Sequence, residues 1–128
     1  MKKYNIFEYL VFDKDKEIEE IIYEDEKIKV IRTASFGQST SYYDQEDLEI
    51  VKIEEGEAVL DLEGKEVNLK KGDILAIKPH KIHRVVKQNK VVWLCIFVKW
   101  ISLNNVEKFL KITMISLKIT KYCNISYW

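Results

Sequence analysis

From Lys27 onward, apolar side chains recur at every second position in short runs, and glycine or polar clusters separate the runs. A period of two places one set of side chains on each face of a strand. Lys27 to Phe36 reads as the first such strand, with Ile28, Val30 and Arg32 on one parity and Lys29, Ile31 and Thr33 on the other. Leu48 to Ile53 is the second, ending at Glu54-Glu55-Gly56. Ala58, Leu60 and Leu62 then alternate with Glu57, Val59 and Asp61. Glu63-Gly64 has the chemistry of a tight hairpin turn, and Glu66 to Leu69 returns from it. After the turn Lys70-Lys71-Gly72-Asp73 come Ile74 to Ile77, a loop at Pro79 to Lys81, His83 to Lys87, a turn at Gln88-Asn89-Lys90, and Val91 to Val98. Many short strands without intervening helices predict a sandwich or barrel and argue against a βαβ fold.

The ends of the chain break this pattern. Residues 4–12 are apolar and aromatic, as an edge strand or a packed arm would be. Asp13-Lys14-Asp15 supplies N-cap candidates, and Ile18, Ile21 and Ile22 follow at helical spacing. This predicts one short amphipathic helix over Lys16 to Tyr23, with Glu17, Glu19 and Glu20 as its solvated face. Beyond Lys99, Asn104-Asn105-Val106-Glu107 resembles a capping box and allows a C-terminal helix through Val106, Phe109 and Leu110, while Ile112 to Tyr122 is β-prone again, so the structure of this tail stays open. The expected organisation is an N-terminal arm and short helix (1–26), a barrel (27–98) and a C-terminal extension (99–128).

Composition narrows the function classes. A chain of 128 residues, 47% hydrophobic and 33% charged, suits one globular domain. Its 21 basic and 21 acidic residues balance, which argues against a nucleic-acid binder, since those carry a basic surplus. The balance hides an asymmetry: residues 99–128 hold five basic side chains and one acidic one. Cys95 and Cys123 have no motif spacing and read as reduced thiols. No apolar run reaches the roughly 18 residues of a membrane span, and no signal cleavage pattern follows Met1-Lys2-Lys3. A cytoplasmic protein without a membrane partner is expected.

Polar groups suited to a ligand cluster from Tyr43 to His83. Glu49 is followed by six residues and Gly56; fifteen more lead to Gly72, and His83 lies eleven beyond that. With Tyr43-Asp44-Gln45, Leu69-Lys70-Lys71-Gly72-Asp73 and His80-Lys81-Ile82-His83, this spacing resembles the two motifs of the cupin family, in particular small single-domain members with Tyr-Asp-Gln where others carry two histidines. The resemblance covers roughly Ile28 to Val98. It implies an all-β fold, an antiparallel double-stranded β-helix or jelly roll, in which Glu49 and His83 converge on one pocket.

The departures are as informative. The two histidine slots of the first motif fall on Tyr43 and Gln45, or on Tyr42 and Asp44; strand parity favours the former. In the second motif Lys78 stands in the proline slot and His80 in the glycine slot. The resemblance implies a divalent transition metal (Mn, Fe, Ni or Zn) held weakly by Gln45, Glu49 and His83, with Asp44 as the alternative to Gln45. A hydrogen-bonded pocket without an ion is the competing expectation. Tyr43, Gln45, Glu49, His83 and Trp93 are the expected ligand-binding residues. Three functions stay open: binding of a small polar ligand, a metal-dependent isomerase, dioxygenase or sugar-modifying enzyme, and a non-catalytic interaction protein with a vestigial pocket. A homodimer is implied by the resemblance.

Overall fold

Eight strands carry the residues that the computed structural model describes, 2–100. They are β1 (Ile18–Glu24), β2 (Ile28–Phe36), β3 (Leu48–Glu55), β4 (Glu57–Leu62), β5 (Lys65–Lys70), β6 (Ile74–Ile77), β7 (His83–Gln88) and β8 (Lys90–Val98). One sheet has the order β1-β2-β8-β3-β6 and the other β5-β4-β7. Every pairing is antiparallel. The two sheets close on each other as a jelly roll, the form that the resemblance implies and one kind of the sandwich or barrel that the strand pattern predicts. The C-terminal helix that the sequence allows lies outside the described residues.

Alternation explains the core. In β4, Ala58, Leu60 and Leu62 are buried, while Glu57, Val59 and Asp61 are not. They meet Val51 and Ile53 of β3, Leu75 and Ile77 of β6, and Val91 and Trp93 of β8. β8 sits in the middle of the larger sheet, bonded to β2 over nine positions and to β3 on its other side. Among the described residues, no helix is long and apolar enough to cross a membrane.

The expected N-terminal helix is a strand. Ile18–Glu24 pairs with β2 as the outermost strand of the larger sheet. The register slips between Ile21 and Tyr23, so Ile22 is an extra residue, and a strand with one inserted position mimics helical spacing. β2 supplies the driving force: without β1 its second edge would leave backbone N–H and C=O groups unpaired. Residues 4–12 form an arm with a turn at Ile6–Tyr9. The buried Arg32 side chain gathers this arm, donating to the carbonyls of Ile6 (3.1 Å) and Glu8 (2.6 Å) and to Glu20 (2.7 Å).

Gly56, between β3 and β4, has φ +94°, and an added Cβ would press into the Lys90 carbonyl and lie 3.0 Å from Val91 Cα. Gly72 has a similar φ, +91°, but open space around it. Gly72→Ala therefore faces only the left-handed backbone cost, about 1–2 kcal/mol. Gly56→Ala adds a clash with backbone that cannot move aside. Denaturant unfolding should show Gly56→Ala as the more destabilising by at least about 1 kcal/mol; equal losses would mean that the contact with β8 does not limit this turn.

Candidate ligand-binding cavity

A cavity of about 310 Å³ opens inside the roll, lined from both sheets. Its walls are the inward parities of the strands: Lys29, Ile31 and Thr33 from β2, Glu49 and Val51 from β3, His83 and Val85 from β7, and Trp93, Cys95 and Phe97 from β8. Leu60 and Ile77 add further apolar lining. An apolar chamber with a few converging polar groups is the usual form of a small-molecule site.

Two of those polar groups are deeply buried. Glu49 is 8% exposed and His83 is 4% exposed, and His83 Nε2 lies 3.6 Å from Glu49 Oε1. That is ion-pair distance and long for a hydrogen bond. The other ring nitrogen, Nδ1, donates to the Lys81 carbonyl at 2.7 Å, which fixes the ring and leaves Nε2 facing the carboxylate. Backbone bonds in both directions between Tyr43 and His83 (2.7 and 3.2 Å) bring the two residues together, and their rings lie 5.6 Å apart. Gln45 Nε2 donates to Glu49 Oε1 at 3.0 Å. Trp93 lines the wall and donates its indole N–H to Gln88 Oε1 at 2.9 Å.

The cavity thus gathers Tyr43, Gln45, Glu49, His83 and Trp93. It does not gather Asp44, which is exposed and pairs with His80 Nδ1 at 2.8 Å. Tyr42 likewise points out, its ring beneath Arg84. The histidine slots of the first motif are therefore Tyr43 and Gln45. His80 has φ +61°, the left-handed backbone for which the family pattern uses glycine. Its amide donates to the Gln45 carbonyl at 2.8 Å, so this strained residue holds the loop beside the cavity rather than entering it.

Two acidic wall residues escape a helical reading of the N-terminus. Glu17 and Glu19 line the cavity instead of forming a solvated helix face, and Asp47, from the loop before β3, lines it as well. Glu17 accepts from Ser35 Oγ and from Gln88 Nε2, and Asp47 accepts from the Trp100 amide at 2.9 Å. The need of β2 for an edge partner was the signal that could have placed Glu17 and Glu19.

The charges inside act on one another. Burial works to lower the His83 pKa, but the Glu49 carboxylate and the Lys81 carbonyl together outweigh it, so the pKa is raised above its ordinary value. Burial, followed by the charges of Glu49 and Glu19, lifts the Cys95 thiol well above its ordinary range, which keeps it protonated and unreactive. Burial and then Glu17 and Glu19 raise the Tyr43 phenol.

The donor set does not fit a resident transition metal. Such ions take three or four imidazole, carboxylate or thiolate donors from the protein. Here one imidazole and one carboxylate converge, and Gln45 turns its N–H₂ toward Glu49 and so acts as a donor. Among the described residues, no three His, Cys, Asp or Glu side chains are grouped to hold an ion.

Comparisons with known proteins agree with this architecture. A family model described as "Cupin domain" matches residues 34–97. A structure from Ralstonia eutropha JMP134 titled a "putative mannose-6-phosphate isomerase" is 27% identical, covering 77% of this chain and 99% of its own, with a TM-score of 0.73. An RmlC-like cupin from Desulfovibrio desulfuricans is 22% identical over 77% of this chain and 96% of its own, TM-score 0.69. KdgF from Halomonas sp. shares the fold at 17% identity, over 65% of this chain and 79% of its own, TM-score 0.58. Among curated proteins no match is found. The matched segment runs from the end of β2 into β8 and spans both motif regions, Glu49 and His83 included: the chain belongs to the cupin domain family.

Proposed function

We propose that this protein binds a small polar molecule inside its barrel, without a resident metal ion. One observation carries the reading: Glu49 and His83, both more than nine-tenths buried, face each other at 3.6 Å across a cavity of about 310 Å³. Burying two ionisable groups beside an open space is costly unless their polar atoms are used. Gln45 holds the carboxylate, Tyr43 flanks the imidazole, and Trp93 supplies an apolar wall.

A second reading rests on the same pair. A buried imidazole beside a carboxylate is the equipment of a proton carrier, and the relative from Ralstonia eutropha is titled an isomerase. In that case His83 would take a proton from a bound molecule at Nε2 and return it at a neighbouring atom, with Glu49 stabilising the imidazolium between the two steps.

Thermal-shift screening of the full chain against small polar molecules, followed by amide NMR, separates these readings from a vestigial pocket. Hits should move the amides of Tyr43, Glu49, His83 and Trp93. His83→Ala and Glu49→Ala should each abolish the shifts, and well below one equivalent of transition metal should be present throughout. Shifts unaffected by both variants would place binding elsewhere, and a stoichiometric metal would overturn the ion-free reading. Conversion of a bound hit would favour the proton-transfer alternative.

A further inference from the structure

We infer that the cavity selects a small organic cation, an ammonium or amidinium group on an apolar body, over an anion such as a sugar phosphate. This deepens the binding reading above and depends on it.

The polar floor presents acceptors. His83 Nδ1 faces the Lys81 carbonyl, which can only accept, so Nδ1 carries a proton, and above the ring's raised pKa Nε2 offers a lone pair. Glu49 Oε1 offers another, 3.6 Å away. Two acceptors separated by that gap are both satisfied by an N–H group placed against them. An anionic oxygen in the same place meets lone pairs and a carboxylate charge.

The walls extend the preference. Glu17, Glu19, Asp47 and Glu49 line the cavity, and Lys29 is the one ammonium among its described lining residues. The balance is negative whether or not His83 is charged. In a partly enclosed, low-dielectric space such an imbalance acts more strongly than at an open surface. Tyr43, Trp93 and Phe97 add ring faces, which attract cations through their quadrupoles. The Ile31, Val51 and Leu60 side chains accept the apolar body.

The lining groups already respond to this field. His83 is the clearest case, because burial alone would lower its pKa and yet it is raised. Glu49 from β3 and the Tyr43 ring from the preceding loop lie beside it, and Glu17, Glu19, Lys29, Gln45, Asp47 and Cys95 share the cavity lining.

Isothermal titration calorimetry with three probes of one shape tests the inference: cyclohexylammonium, cyclohexanol and cyclohexanecarboxylate, each against the full chain at about pH 8.5, where the His83 ring has lost its added proton. The ammonium should bind on the order of tenfold tighter than the alcohol, and the carboxylate weakest of all. A carboxylate that binds as tightly as the ammonium overturns the cation preference and leaves the pocket reading standing. Binding by none of the three overturns both. Glu49→Gln should lower ammonium affinity by about tenfold more than it lowers alcohol affinity. Glu19→Gln alters an exposed side chain at the cavity wall, keeps the fold, and should weaken the ammonium alone. Ammonium binding unchanged in Glu19→Gln and in any folded Glu49→Gln protein also overturns the preference.

Discussion

Replacing Arg32 with alanine should destabilise the protein by about 3–5 kcal/mol, the loss expected when one member of a buried charged network is removed. Arg32 is 5% exposed, yet its guanidinium is well used. It donates to the carbonyls of Ile6 and Glu8, approaches that of Tyr9 at 3.4 Å, bonds Glu20 at 2.7 Å, and lies 5.3 Å from the centre of the Tyr4 ring. Alanine leaves those acceptors without their donor and opens a space under the arm. Arg32→Lys keeps the charge but offers a single compact ammonium in place of a planar fork, so it should recover less than half of the loss. Urea unfolding measures the stability, and limited proteolysis of residues 2–12 reports the arm. A wild-type midpoint for Arg32→Ala would show that the arm contributes nothing to the fold.

His83→Ala should cost about 3 kcal/mol in acid, because it strands the buried Glu49 carboxylate among other acids, and it should cost less in base. The direction follows from linkage. His83 has a folded pKa raised above its ordinary value of 6.5. The stability that its proton adds is therefore fully present below the unfolded pKa and is lost as pH rises through the folded one. The gap between wild type and variant should be widest near pH 5.5 and should narrow by pH 8.5. In a Glu49→Gln background most of the narrowing should vanish, since the carboxylate is a main cause of the shift. A constant gap across that range would mean that folding does not shift the His83 pKa.

The barrel was legible in the sequence wherever one face is buried and the other is not. Ala58, Leu60 and Leu62 announced β4, and Glu63-Gly64 announced the hairpin that follows. β1 was not legible, because its pairing with β2 is a long-range contact and the insertion at Ile22 destroys the period of two. The same misreading hid Glu17 and Glu19, whose role depends entirely on which strand they lie beside. Glu49 and His83 were visible as a motif. The choice between Gln45 and Asp44 was not forced by residue type; in the fold Gln45 lines the cavity and Asp44 is exposed and pairs with His80. The acidic character of the cavity was equally out of reach, since the whole chain is neutral and only folding collects its carboxylates on one side.

The position of Trp93 has a practical consequence. Its indole is 4% exposed, fixed through its N–H to Gln88, and forms part of the chamber wall. On the binding reading proposed above, a guest in the barrel would change the dielectric around this indole, while Trp100 lies outside the lining. Trp93 emission would then report occupancy, readable without a dye, a tag or a label.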